Sequence, residues 1–267
     1  MKTSTSIDTT ATGAAPPRRR RVAFTTLCVI AALAAAIFMF GIGVVVGWFD
    51  TEMHGIHRVH NIGFGIMSGV LLTTALVVLA RRPERNVSSF YAVVAVGLAT
   101  LLSGIVSEVG GLVAGGIGVL VIAAILLALH PSRADVLHAS RALDPQVMAV
   151  AVIGAVPLVA FALTMARLQR TGPPQDPHVK MQHWGLMAAM AFALVLCGAL
   201  ASLRLPGWRV TAWSAGIGVA VYGLASIVFH HFPGGFGPYP GARGIGWGVT
   251  AMLGGALFVA VAERPRR

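Results

Sequence analysis

Long uninterrupted runs of apolar residues alternate with short polar segments along almost the whole chain. A run of about 20 apolar residues has the length that a helix needs to cross the hydrocarbon core of a bilayer. Eight such runs are present, and none of them contains a Lys, Arg, Asp or Glu. They are residues 22–48, 62–80, 87–107, 110–129, 147–166, 184–203, 210–229 and 244–262. The pattern predicts an all-α, polytopic integral membrane protein with eight transmembrane helices.

Composition and tryptophan placement both agree with a membrane protein. Only 11% of the 267 residues are charged, 56% are hydrophobic, and the mean hydropathy is +0.79. A soluble domain has about a quarter of its residues charged, and a disordered chain has far fewer apolar residues than this one. All 5 tryptophans lie within a few residues of a predicted span end, where indole rings form the interfacial belt of membrane proteins. These features exclude a soluble globular domain and a disordered chain.

The positive charge of the chain is concentrated on one side of the predicted membrane. The formal net charge is +11, and 15 of the 20 Lys and Arg residues fall in residues 1–21, 81–86, 130–146, 204–209 and 263–267. By the positive-inside rule these segments are cytoplasmic, which predicts an inner (plasma) membrane protein with both termini in the cytoplasm. The excess charge orients the protein and attracts anionic lipid headgroups, so we expect the lipid bilayer as a partner and no nucleic acid.

An internal repeat relates the two halves of the chain. At an offset of 126 residues, Gly97-Leu-Ala-Thr100 aligns with Gly223-Leu-Ala-Ser226, and His57 aligns with His183. Since each half then holds an even number of helices, two four-helix repeats in parallel orientation are predicted, related by an axis along the membrane normal. The predicted domains are a disordered basic cytoplasmic tail (1–21), a first four-helix membrane unit (22–130), a cytoplasmic linker (131–146), a second four-helix membrane unit (147–262) and a cytoplasmic tail (263–267).

Histidines are concentrated in the segments predicted to lie outside the cell membrane. Seven of the 9 histidines are there: His54, His57, His60, His178, His183, His230 and His231. Imidazole is the commonest protein ligand for transition metals, and copper, zinc or haem are the cofactors that such a set can hold. The predicted metal ligands are those at the ends of predicted helices, namely His57, His60, His183 and His230. Two nearby carboxylates are predicted to orient the imidazoles, namely Glu52 and Asp176.

No single segment supplies a complete set of ligands. His57 and His60 can share a helix face, whereas His178 and His183 would lie about 140° apart on an ideal helix. Any site must therefore be assembled between loops that converge on one face. The stretch from His178 to Met187 resembles the His-Met-rich segment of membrane proteins that assemble copper into cytochrome c oxidase. The likeness covers about ten residues, and the family's two histidines lie one residue closer together, so we take no residue role from it.

Several functions stay open on the sequence alone. A histidine-box hydroxylase keeps its histidines on the cytoplasmic side, and an ion-coupled transporter needs ionisable groups within its spans, which this sequence lacks. A membrane cytochrome or an extracytoplasmic protein that binds or handles a transition metal of the copper type fits the histidine positions better. The alternative is a non-catalytic module that binds a lipid, a quinone or a partner protein, or a small-molecule transporter. Its histidines would then be ordinary interfacial residues, which is the more common case. No catalytic motif is present, so no reaction is predicted.

Overall fold

The structure is a computed structural model that describes residues 18–39, 41–49, 55–230 and 244–265, with the backbone alone at 55–57. These described residues form helices and turns and no strand. Eight helices in this part of the chain are long and apolar enough to cross a bilayer, and we number them in chain order. They are α1 (Arg18–Ile37), α2 (Arg58–Arg81), α3 (Val87–Ser107), α4 (Gly110–Leu129), α5 (Pro145–Thr171), α6 (His183–Ser202), α7 (Trp208–Val228) and α8 (Gly244–Glu263). The prediction of an all-α, multi-pass membrane protein with eight spans is confirmed.

The first spanning helix differs from its predicted bounds. The apolar run 22–48 predicts one helix, but α1 begins at Arg18 and ends at Ile37, and a separate short helix follows at Gly43–Phe49. This short helix packs directly on the backbone of α2, because a Cβ atom at Gly43 would lie only 2.5 Å from the carbonyl oxygen of Asn61. Residues 18–21 of the predicted disordered tail therefore form the first turn of α1, and residues 1–17 lie outside the described residues.

Four helices form the interior of the bundle and four lie around it. In α2, α3, α6 and α7, between 50% and 72% of the spanning residues are buried, against 22% to 28% in α1, α4, α5 and α8. Each outer helix packs on one inner helix: α1 on α2, α4 on α3, α5 on α6 and α8 on α7. The exposed faces of the outer helices are apolar, with Ile153 and Leu253 among their most exposed residues, as expected for surfaces that contact lipid.

The order of helix neighbours is the same in the two halves of the chain. The pairs α1–α2 and α3–α4 correspond to α5–α6 and α7–α8, and the contact of α3 with α6 corresponds to that of α7 with α2. This is the set of neighbours that two four-helix repeats, related by an axis along the bundle, would produce. The duplication itself stays a prediction.

Helix α2 contains a stretch of wider turns. The α-helical segment Gly55–Gly65 is followed by a π-helix at Ile66–Thr73, after which the α-helix resumes at Thr74–Arg81. The hydroxyl group of Thr73 donates a hydrogen bond to the carbonyl oxygen of Ser68, five residues earlier, at 2.7 Å. Because π-helical turns shift the side chains before them around the helix axis, this stretch sets the direction in which the first turns of α2 point.

A buried carboxylate joins three helices at the end of the bundle where α5 begins. We call this the opposite end, because it lies across the bundle from the end where α2 and α6 begin. Asp144 is 4% exposed, and its two carboxylate oxygens accept hydrogen bonds from Arg204 and Arg264, each at 2.8 Å. The same side chain caps α5 by accepting a hydrogen bond from the backbone N–H of Val147. The guanidinium group of Arg204 also stacks on the ring of Trp208, at 3.7 Å from its centroid. Asp144 therefore links the start of α5 to the α6–α7 turn and to the end of α8.

Candidate metal centre

Three histidine side chains converge at the end of the bundle where α2 and α6 begin, which we call the histidine end. One ring nitrogen from each of His60, His178 and His183 lies within 4.8 Å of the other two. The ring centroids are 5.1 to 5.7 Å apart. In a tetrahedral zinc site, nitrogens at 2.0–2.1 Å from the ion are about 3.3 Å apart, so the rings need to close by at most about 1.5 Å.

Aromatic side chains hold His60 on the side of α2 that faces α6. The His60 ring is 1% exposed and packs edge-on against Trp184, with centroids 4.9 Å apart. One turn further along α2, the ring of Phe64 lies against both His60 and His183. The site therefore has an aromatic, apolar wall on this side, and electrostatic interactions in such surroundings are stronger than in water.

His178 and His183 approach each other because they do not belong to the same helix. His178 lies in a short helix, Pro177–Lys180, which ends at a turn where Gln182 adopts a left-handed conformation with φ of 60°. Helix α6 then starts in a new direction at His183, which is 7% exposed. The angle of about 140° expected on one continuous helix does not apply, and both rings face His60.

Asp176 orients His178. Its carboxylate oxygen Oδ1 lies 2.7 Å from Nδ1 of His178 and also accepts a hydrogen bond from the backbone N–H of that residue at 2.9 Å. When Nδ1 donates its proton to this carboxylate, Nε2 carries the lone pair that can bind a metal. Burial opposes ionisation of Asp176, but the two hydrogen bonds and the nearby His178 and His183 rings outweigh it and lower the pKa of the carboxyl group. The carboxylate is therefore charged at neutral pH.

Polar contacts fix the His178 loop to the helices around it. The side-chain amide of Gln169, on α5, donates a hydrogen bond to the carbonyl oxygen of Val179 at 2.8 Å. The carbonyl oxygen of the same amide accepts a hydrogen bond from the backbone N–H of Gly185 at 3.2 Å. The hydroxyl group of Ser103, on α3, donates to the carbonyl oxygen of Gly185. Gln169 of α5 thus ties the loop to the start of α6, and Ser103 of α3 holds that start in place.

The structure places the predicted site residues in three different situations. It brings His60 and His183 together, and Asp176 contacts His178 rather than one of the predicted ligands. His230 is exposed at the end of α7, with its Nδ1 atom 2.6 Å from the carbonyl oxygen of Ile227, and it is not part of the cluster. The backbone of His57 belongs to the first turn of the helix that contains His60, and its side chain lies outside the described residues, as does Glu52.

The sequence prediction did not include His178 among the ligands. The signal that could have identified it is the Asp176-Pro177 pair, since Asp is a preferred N-cap and Pro a preferred first residue of a helix. That pair indicates a helix that begins just before His178. A separate short helix there removes the constraint that His178 and His183 share one axis.

Comparisons with known proteins do not add to this picture: the chain matches no protein-family model, no curated protein and no solved structure.

Proposed function

We propose that this membrane protein binds a transition-metal ion through His60, His178 and His183. The observation that carries the proposal is the approach of three imidazole nitrogens from two separate segments to within 4.8 Å of one another in a largely buried site. Imidazole is the commonest metal ligand among protein side chains, and it suits both copper and zinc. The hydrogen bond from His178 to Asp176 supports the proposal, because metal-binding histidines almost always donate their second N–H to such a group.

The geometry favours a single ion over haem. A haem with two histidine ligands holds them on opposite faces of a flat macrocycle. Here the rings of His60 and His183 lie 5.1 Å apart and Trp184 packs against His60, which leaves no slot for a porphyrin between them. Three imidazoles leave the fourth position of a tetrahedral ion open to another ligand or to exchange, as expected of a protein that receives or passes on a metal.

A metal titration tests this proposal. The protein in lipid nanodiscs is expected to bind one equivalent of Zn²⁺ or, under reducing conditions, of Cu⁺, with affinities measured by competition against a chromogenic chelator. Binding is expected to weaken below about pH 6.5, because an imidazole must be neutral to bind a metal.

The matched control for the titration is His138→Ala. His138 is exposed at the opposite end of the bundle, where its Nδ1 atom lies 3.0 Å from the carbonyl oxygen of Ala134. The variant is expected to bind metal as the wild-type protein does. Wild-type protein that carries no metal after purification and binds none on titration would contradict the proposed function.

The proposal includes the orientation of the protein, with the histidine end outside the cytoplasm. Its support is the charge distribution: among the described residues, the histidine end holds four Lys and Arg residues and the opposite end holds twelve. The residues at the histidine end are Arg58, Arg167, Arg170 and Lys180. Such an asymmetry is typical of a protein whose opposite end is cytoplasmic.

Cysteine labelling in intact cells tests the orientation. A membrane-impermeant thiol reagent is expected to label Lys180→Cys and to leave His138→Cys unlabelled until the cells are opened. Both positions are exposed, and the native Cys28 and Cys197 are buried and should contribute no background. Labelling of His138→Cys alone in intact cells would invert the assignment and would put the metal centre on the cytoplasmic side.

A second candidate function is favoured by a cavity of about 230 Å³ between α5, α6, α7 and α8. Its walls are apolar, with Tyr222 and Trp247 among them, and the indole N–H of Trp247 is buried without a hydrogen-bond partner among the described residues. A buried donor is costly unless something accepts from it, and a carbonyl group of a quinone or lipid would do so. This supports a module that binds a lipid-soluble molecule. Mass spectrometry of extracts of the purified protein tests for such a molecule.

A further inference from the structure

A methionine side chain lies one helical turn below the histidines. Met187 follows His183 by four residues on α6 and is 2% exposed. Gly63 follows His60 by three residues on α2, and a Cβ atom built on it would lie 2.5 Å from the sulfur of Met187 and 3.0 Å from its terminal methyl group. The thioether therefore occupies the space between α2 and α6 that any larger residue at position 63 would fill.

This position brings the sulfur toward the metal centre. Three residues of α-helix correspond to a rise of about 4.5 Å, so Gly63 is about that far along α2 from His60. Met187 is four residues from His183 on α6, so the two side chains are neighbours on one face of that helix. The thioether is thus on the side of the cluster that faces the interior of the bundle, whereas His178 and Asp176 close the opposite side.

A thioether at this place changes which ion the site prefers. Methionine sulfur is a soft, neutral ligand that suits Cu⁺ and contributes little to the binding of Zn²⁺. The charged carboxylate of Asp176 contacts His178 and would stabilise a bound ion of either charge. The preference for Cu⁺ therefore rests on the softness of the sulfur ligand.

We propose that Met187 is the fourth ligand of the centre and that the centre is a Cu⁺ site. The inference rests on the proposed function, since it needs the three histidines to bind a metal. Gly63 acts as a positioning residue, because its missing side chain leaves room for the sulfur. The centre is then built from two helices and one loop, with its sulfur ligand one helical turn further into the bundle than its imidazole ligands.

The Met187→Leu variant tests this inference. Leucine has nearly the volume of methionine, and exchanges of this kind are well tolerated in packed interiors. Cu⁺ affinity is expected to fall by at least about tenfold, the scale on which metal sites respond to a changed ligand environment, whereas Zn²⁺ affinity should stay within about twofold of wild type. X-ray absorption of the Cu⁺-loaded protein should show a sulfur neighbour in the wild type and only nitrogen neighbours in Met187→Leu.

The control is Met190→Leu. Met190 is also buried on α6, but the atom it brings nearest to Gly63 is its terminal methyl group and not its sulfur. This variant should keep the wild-type affinity for Cu⁺ and the sulfur signal. Equal affinities of Met187→Leu and wild type for Cu⁺, or a sulfur signal that persists in Met187→Leu, would overturn the inference and leave the histidine site in place. A wild-type protein that binds neither ion would overturn both this inference and the proposed function. Retained Zn²⁺ binding by Met187→Leu would show that the variant is folded.

Discussion

The His60→Ala variant is expected to lose more than about 100-fold in affinity for Zn²⁺ and Cu⁺. His60 is the one histidine of the centre that α2 supplies. Its ring lies 5.3 Å from that of His178 and 5.1 Å from that of His183. Its removal leaves two imidazoles, whereas zinc sites have three or four protein ligands. Changing a residue that only orients a ligand costs 10–100-fold in metal affinity, so removal of a ligand should cost more. Chelator competition in nanodiscs measures the change.

Two further variants separate this loss from a general effect of losing a histidine. His230→Ala alters an exposed residue at the same end of the bundle and should leave the affinity unchanged. Asp176→Asn should cause an intermediate loss of 10–100-fold, because it weakens the hydrogen bond that orients His178 without removing a ligand. Wild-type affinity in His60→Ala, with its helical circular dichroism intact, would show that these three histidines do not form the site.

The Asp144→Asn variant is expected to lower the free energy of unfolding by about 3–5 kcal/mol. The change removes the negative charge that pairs with both Arg204 and Arg264, and Arg204 would be left with its charge buried, since its side chain is only 5% exposed. Breaking one side of a buried ion pair costs this much because the remaining charge stays desolvated and unpaired. Denaturant unfolding in a fixed detergent measures the difference.

The matched control for Asp144→Asn is Glu263→Gln at the same end of the bundle. Glu263 pairs with Arg209, whose side chain is 67% exposed, and such surface pairs contribute about 0–1 kcal/mol. A loss of less than about 1 kcal/mol in Asp144→Asn would show that the ion pairs do not hold the three helices together.

The stabilisation by Asp144 has a predictable pH range. Burial raises the pKa of this carboxyl group, but the hydrogen bonds from Arg204, Val147 and Arg264 together lower it far below the usual value. A group whose pKa is lowered by folding contributes its full stabilisation above its pKa in the unfolded chain, which is about 3.9 for Asp. The contribution is lost as the pH falls through the lower, folded-state pKa. The stability difference between wild type and Asp144→Asn should therefore be constant from about pH 5 to 8 and should shrink only in stronger acid.

The spanning helices could be predicted because each one has to be apolar along its whole length, whatever its neighbours are. For the same reason, the apolar pattern does not show that α1 ends at Ile37. Gly41 and Gly43 count as apolar and do not interrupt the run, although Gly43 is where the chain packs onto the backbone of α2. Apolar content reports burial in lipid or protein, and it does not report the direction of the chain.

The candidate metal centre could be predicted only in part because its members are joined by packing and not by spacing. His60 and His183 stand out as histidines at helix ends on one face. The Asp176-Pro177 pair indicates a helix that begins before His178, but no sequence pattern indicates the left-handed Gln182 that separates this helix from α6. The position of Met187 depends on a small residue at Gly63, more than a hundred residues away along the chain. Contacts such as that of Met187 with Gly63 depend on which faces of α2 and α6 pack together.

The π-helix at Ile66–Thr73 makes the direction of His60 depend on the number of residues in α2 as well as on their identity. Each residue turns an α-helix by about 100° and a π-helix by less, so the same residues in regular α-helical form would point His60 away from α6. All nine histidines would still be present in such a chain. In a related chain, the helical form of this stretch would therefore tell more about whether the centre is kept than the count of histidines does.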